Sequence, residues 1–288
     1  MNLPIRNTYQ GFSQSWQNSM LIKTKLGRIG LFVIIGLMVT TALTDILANL
    51  FGGKGIAVLV GNLMYVPLTI LLATLSSIQA FRFGRNNTIG IATILFAIFA
   101  TLWMIAEHIW IIKEVILHEK PFPSIANFFY IFGYPFLILA SFRYLRIVKN
   151  AITKKMIIVA SLLSIVLVIP SIYIATGSDS DKQFLGLGTE ALYSILDGLA
   201  LIPAIIGFSL FLGGEVFFPW LLFSLAIFTI ACGDTAFLIV DRYGWYYTGH
   251  PIEILFYWSY ILFSYAVYSH LIIFKTQKKK FDNKESMR

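Results

Sequence analysis

Charge is scarce in this sequence. Only 12% of its 288 residues are Asp, Glu, Lys or Arg, against 58% hydrophobic, and a soluble domain carries about twice that charged share. Water is therefore not the main solvent, and no room remains for a second, soluble domain. Cysteine is nearly absent: Cys232 stands alone inside an apolar run, which excludes an intramolecular disulfide and a cysteine-rich metal site. No Gly-rich phosphate loop joins a strand to a helix, and no GxSxG elbow occurs. The last apolar run holds no lysine for a retinal-type Schiff base, and His250 with Glu253 does not form HExxH. No lone histidine stands ready to activate Cys232 as a nucleophile.

What the sequence has in abundance is apolar runs of roughly 20 residues, the length that crosses a bilayer. Eight are read, at 28–51, 56–80, 88–112, 123–142, 156–175, 188–212, 216–240 and 251–274. The fold class expected is all-α, a polytopic transmembrane helical bundle of about eight spans. The first run after Arg28 is too long for a signal-peptide core, so it is read as a retained span.

The net charge of +8 points to nucleic acid only if the basic residues share a surface, and here they sort by membrane side. The segments on one side carry 17 of the 22 Lys and Arg. The other side has Lys54, Lys113, Lys120, Lys182 and Arg242. By the positive-inside rule the richer side is cytoplasmic, with both termini on it. Anionic lipid of the cytoplasmic leaflet accounts for that basic face as a partner, and no nucleic acid is needed. The expected location is the cell membrane, as a multi-pass protein.

Residues 1–27 precede the spans. Ile5, Tyr9, Phe12, Trp16 and Met20 recur at steps of three or four, which predicts an amphipathic helix in the cytoplasmic interface. The membrane domain covers 28–275. Residues 276–288 are basic and lack apolar periodicity, which predicts an unstructured cytoplasmic tail. Pro67, Pro135, Pro170 and Pro203 fall inside spans, where each removes a backbone donor and can bend its helix. Ser124 is placed as an N-cap after the KPFPS turn. No internal repeat of the inverted-transporter kind is evident.

The acidic residues are as lopsided as the basic ones, with the opposite sign. Only Glu215, Asp282 and Glu285 of the 14 fall on the cytoplasmic side. Asp45, Glu107, Asp197 and Asp234 sit inside spans, about two turns from the outer boundary, where a charge needs a partner, water or the bundle interior. Asp197 and Glu253 occupy outer N-terminal parts of their helices, which favour an anion. Asp45, Glu107 and Asp234 approach C-terminal ends, which oppose one, so they call for a proton, a counter-charge or a ligand.

Spacing groups these residues into faces. Trp103, Glu107, Trp110 and Glu114 form one stripe, and Glu190, Tyr193 and Asp197 another. Asn127, Tyr130 and Tyr134 line the fourth span; Glu253, Tyr257, Tyr260, Ser264 and Tyr268 line the last. Four polar-aromatic stripes are wasted against lipid, so they are expected to converge on an interior. Three readings fit: interhelical glue with the acids paired to Lys54, Lys113, Lys120 or Arg242; an outward pocket for a small ligand or ion; or a catalytic or metal site. His108 and His118 lie near carboxylates in sequence, but Glu107 and His108 point in different directions, so no metal or other cofactor is expected. His270, near the cytoplasmic end of the last span, is read as an interface anchor.

Three stretches carry a resemblance: WMIAEHIW at 103–110, PSIANFFYIFGYPF at 123–136, and GDTAFLIVDRYGWYYTGHPIEILFYWSYILFSYAVYSH at 233–270. They resemble the multi-span N-terminal membrane module that precedes diguanylate cyclase, phosphodiesterase and histidine kinase domains in prokaryotic signalling proteins. The matching positions are Pro123, Ser124, Tyr130, Tyr134, Pro135, Asp234, Tyr247, Gly249, Glu253 and Trp258, about a quarter of the chain. Asn127 departs from the pattern, where the family commonly has Asp, and a short basic tail follows Lys275 in place of an output domain. The resemblance implies a standalone sensory module whose signal passes to a separate output protein.

The function expected from these readings is a sensory or signalling-associated membrane protein, with the question of an enzyme left open. Its outward acidic-aromatic pocket is drawn from Asp45, Glu107, His108, Asn127, Tyr130, Tyr134, Asp197, Asp234, Glu253 and Tyr257. The alternatives are a proton- or cation-coupled transporter, an intramembrane lipid hydrolase related to the weak likeness of GDTAFLIV to lysoplasmalogenase-type proteins, and a structural subunit of a membrane complex.

Overall fold

The computed structural model describes residues 25–176, 184–212 and 217–285. The predicted interfacial helix before Lys25 lies outside them. Seven α-helices follow in order: α1 Lys25–Phe83, α2 Thr88–Ile111, α3 Ile125–Leu145, α4 Lys154–Thr176, α5 Phe184–Phe211, α6 Phe217–Arg242 and α7 Glu253–Glu285. No strand occurs among the described residues. α1 to α6 are each long and apolar enough to cross a membrane. Helices answer the bilayer's demand that every backbone N–H and C=O be satisfied within the segment.

The outer surface supports the same conclusion. Phe81 is 88% exposed and Phe51 84%, and α4 presents Ile157, Ile158, Leu162, Leu163, Ile165, Val166 and Ile169 outward. Soluble proteins rarely display so continuous an apolar surface. The chain is a multi-pass membrane protein by this composition and length.

α1 holds the expected first and second spans in one 59-residue helix broken at Gly53, whose φ of 66° and ψ of −177° are not helical. The two limbs run in opposite directions along α7. On the first limb Gly30 packs against Tyr265, and the Trp258 indole donates to the Met38 carbonyl at 3.0 Å. On the second, Gly61 meets Gly249, Tyr65 meets Glu253 and Gln79 meets His270 at 2.7 Å. The loop before α7 rests on the break: Gly249 has φ +80°, and a Cβ there would stand 2.1 Å from the Ala57 carbonyl oxygen. Only glycine combines that left-handed backbone with that approach.

α2 packs on α1 and α3, α3 on α5, α5 on α4 and α6, and α6 on α7. α7 runs through the middle, with Tyr257, Tyr260 and Phe263 fully buried. The four prolines sit inside helices, Pro67 in the second limb of α1. Small residues let rings approach backbones, as membrane packing favours: Gly133 lies under the Trp103 indole and Gly207 under that of Trp220. Ser124 caps α3 as predicted, accepting from Ala126 N at 3.2 Å, while the Asn127 side chain accepts from Ser124 N at 2.7 Å.

One expectation is corrected. The stretch after Lys275, read as unstructured, continues α7 as helix to Glu285. Lys, Gln and Glu are good helix formers, extending an existing helix needs no new nucleus, and cations near its C-terminus are favoured by the dipole. Residues 286–288 lie outside the described residues.

Candidate functional site

The polar stripes of α2, α3, α5 and α7 converge, joined by α6 and the second limb of α1, on a cavity of about 90 Å³. Glu107, Asn127, Tyr130, Tyr134, Asp234 and Glu253 line it, with the Trp103 and Trp110 indoles among its walls. α4 contributes nothing to the lining.

Tyrosine hydroxyls answer the carboxylates. Glu253 is held at both oxygens, by Tyr65 at Oε2 and by Tyr246 at Oε1, the latter at 2.6 Å. Tyr260 donates to Glu107 Oε1 at 2.7 Å. The Tyr134 oxygen lies 2.6 Å from Asp197 Oδ1 and 3.0 Å from Asp234 Oδ2. A phenol has one proton to donate, so it serves one of these carboxylates at a time. The other contact is favourable only when a second proton or a cation enters the pair. Asn127, already fixed by the cap of α3, donates to the Tyr193 oxygen at 3.1 Å.

Basic side chains are elsewhere. Lys113 pairs with Glu119 at 2.7 Å. Lys54 lies over the Tyr247 ring, 5.0 Å from its centroid, and Arg242 donates to the Ile174 carbonyl at 3.1 Å. No lysine or arginine among the described residues is bonded to Glu107, Asp197, Asp234 or Glu253. Among the described residues, bonds to neutral donors take the place of the expected pairing of these acids with Lys54, Lys113, Lys120 or Arg242. No group of three or more His, Cys, Asp or Glu suited to a metal occurs among the described residues.

Four predicted residues need separate placing. Asp197 stands behind the wall and reaches the cavity through Tyr134. His108 is turned away, donating its ring Nδ1–H to the Met104 carbonyl at 2.7 Å; it is adjacent to Glu107 in sequence and a helical step of 100° away in direction. Asp45 and Tyr257 are buried beside the α1 break, outside the cavity lining. Tyr65 and Tyr246, which hold Glu253, were not among the predicted residues. The signal for Tyr65 was present: Asn62, Tyr65, Thr69, Ser76 and Gln79 form a stripe at steps of three, four and seven, and all are buried.

In the loop, burial pushes the Tyr246 phenol well above its ordinary value, with the Glu253 charge adding to the effect. Its proton is thus firmly held for donation to Glu253.

A second cavity of about 70 Å³ lies towards the other end of α7. His270 borders it, and this residue is buried instead of anchoring at an interface. Its Nδ1 accepts from the Gln79 amide at 2.7 Å, and its Nε2 lies 2.7 Å from the Tyr144 oxygen. An amide NH₂ only donates, so the ring proton is on Nε2. Between the cavities Phe96, Phe99, Phe223 and Phe263 pack ring against ring at 5.3 to 5.8 Å.

Comparison with protein-family models, curated proteins and solved structures finds no match to this chain.

Proposed function

We propose that this is an integral membrane receptor-type module whose acidic-aromatic pocket binds a small organic cation, an ammonium or short alkylammonium. One observation carries the reading: Glu107, Asp197, Asp234 and Glu253, in and behind the cavity wall, are bonded to neutral hydroxyls and, among the described residues, to no lysine or arginine. A cation supplies the charge they lack, and indole faces at Trp103 and Trp110 favour one that is weakly hydrated. Size narrows the choice. At about 90 Å³ the cavity is smaller than the roughly 150 Å³ that admits benzene.

Four phenylalanine rings pack between the two cavities, where a desolvated cation is costly, although buried Thr69 and Ser76 of α1 also lie between Tyr65 at one cavity and Gln79 at the other. We read the two limbs of α1 as separate crossings, giving eight spans with α7, and the basic segments as cytoplasmic. The pocket then faces outward. Binding acts on the cytoplasmic side only through differential affinity for two packings of the bundle. A separate output protein, as the resemblance to sensory modules implies, is the natural recipient.

The test is thermal unfolding of the purified protein in detergent with methylammonium, tetramethylammonium or sodium as chloride salts. Methylammonium raises the midpoint of wild type and not that of Glu107→Gln or Glu253→Gln. An equal rise in both variants, or none in wild type, overturns the proposal. Methylammonium flux in proteoliposomes would instead favour transport.

A further inference from the structure

Three oxygens meet where α3, α5 and α6 converge: the Tyr134 hydroxyl, Asp197 Oδ1 at 2.6 Å and Asp234 Oδ2 at 3.0 Å. Contacts this short between oxygens hold a proton each, and the phenol supplies one of the two. The second belongs to a carboxyl. With both acids ionised, one contact sets lone pair against lone pair beside two like charges in an apolar bundle. With both protonated, one proton has no acceptor within the group. A single proton on the carboxyl pair closes the set: one acid donates to Tyr134, and Tyr134 donates to the other. Bond lengths separate the two roles. A hydroxyl bond to an ionised carboxylate is about 2.5–2.7 Å long, which fits Asp197. The 3.0 Å contact falls at the long end of neutral O–H···O bonds, about 2.5–3.0 Å, which places the proton on Asp234.

The groups facing this set favour that proton. α2 presents Glu107, already bonded to Tyr260 of α7, and α7 presents Glu253, held by Tyr65 of α1 and by Tyr246. α3 adds Tyr130, while α5 adds Glu190 and Tyr193, the last with its ring 6.2 Å from that of Tyr134. Cys232 lies two residues before Asp234 on α6. α4 touches α6 through Ser171 and Thr235, next to Asp234; its Lys154 and Lys155 stand at the other end, and its Tyr173 is 75% exposed. Acids, phenols and a thiol thus surround the pair, and a negative neighbour favours the protonated carboxyl.

Asp234 lines the cavity, whereas Asp197 stands behind it and is buried. A cation entering the cavity therefore meets the acid that carries the proton. We propose that the Asp197–Tyr134–Asp234 group holds one proton and that a small ammonium expels it on binding, so that the pocket exchanges a proton for its cation. This rests on the cation reading of the pocket. In the exchange the Asp234 O–H bond breaks, the proton leaves to solvent, and an ammonium N–H donates to the freed Oδ2. One positive charge leaves as one enters, so the net charge of the apolar site is unchanged and the cost of charging it is avoided. The sign of the pH dependence follows: acid refills the pair, so ammonium affinity falls as pH falls, by about tenfold per pH unit while the pair is protonated.

Infrared difference spectra of the full chain in detergent at neutral pH test the proton without the cation. Wild type shows a protonated-carboxyl C=O band that Tyr134→Phe shifts and that Asp197→Asn and Asp234→Asn each remove. In either Asn variant the new amide donates to Tyr134, and Tyr134 donates to the remaining carboxylate, so no further proton is needed. Absence of this band from the wild-type-minus-variant difference overturns the proposal. Calorimetric titration with methylammonium, in two buffers of different ionisation enthalpy, counts the proton released. Wild type releases one proton per methylammonium that Asp197→Asn, which keeps the carboxylate in the wall, does not. Binding with equal proton release in both overturns the exchange and leaves the pocket reading standing. No methylammonium binding in wild type overturns both, and the band then shows whether the proton is there without a cation to displace it. Should neither Asn variant fold, a band that Tyr134→Phe leaves unshifted is sufficient to overturn the proposal.

Discussion

Replacing Tyr134 with Phe removes one oxygen from the point where α3, α5 and α6 meet. That oxygen contacts Asp197 at 2.6 Å and Asp234 at 3.0 Å. Hydrogen bonds between membrane helices average about 0.6 kcal/mol and reach about 1.7, while bonds to ionised groups are worth about 1.5–3 kcal/mol. The hydroxyl donates to one carboxyl at a time, so its loss costs about 1.5–3 kcal/mol. Tyr193→Phe is the control, since it loses a single bond from the Asn127 amide at 3.1 Å and should cost about 0.6 kcal/mol. Unfolding by SDS titration in mixed micelles, followed by tryptophan fluorescence, gives both values. Adding Asp197→Asn to Tyr134→Phe places an amide donor beside Asp234 and should recover about 1 kcal/mol. If Tyr134→Phe is no worse than the control, or if the second substitution adds a further loss, the shared hydroxyl does not hold the two acids together.

Two other sites give sharp outcomes in the same assay. Gly249→Ala is destabilising by more than the roughly 1–2 kcal/mol of a left-handed alanine, because its Cβ also meets the Ala57 carbonyl at 2.1 Å. Gly244→Ala, at φ +69° with nothing within 4 Å, bears the conformational cost alone, and equal losses would refute the docking of this loop on the break. His250 accepts from Ile252 N at 3.3 Å through Nδ1, and burial lowers its pKa below the ordinary 6.5. As pH falls through that value the unfolded chain takes up the proton first, so stability present above it is lost between it and the lower folded value. His250→Gln should flatten the slope in that window, and an unchanged slope assigns it to other groups.

The helices were legible because span length and hydropathy are local properties. The convergence of Glu107, Asn127, Tyr130, Tyr134, Asp234 and Glu253 was legible in outline, because a polar stripe on an apolar helix has few places to face. What stayed hidden were partners across the bundle. Nothing local to Glu253 announces that Tyr65, 188 positions earlier, holds one of its oxygens. Gln79 likewise stands 191 positions from His270, and without it a histidine near a helix end reads as an anchor. His108 erred the other way: nearness to Glu107 in sequence put it with the acids, although a helix turns adjacent residues apart.

Among the described residues, phenols answer the acids of the pocket. Had Lys54 or Lys113 reached the acids, each pair would have been neutral and the cavity a packing feature. Tyrosine satisfies a carboxylate's hydrogen bonds without touching its charge. Five of the intramembrane acids are answered in this way or left with an open oxygen: Glu107, Asp197, Asp234 and Glu253 by hydroxyls, and Asp45 with Oδ2 unpartnered. Burying that much negative charge is unfavourable in an apolar medium unless protons or cations accompany it. On the proposal made above, a weakly hydrated ammonium in the aromatic cavity is that positive species.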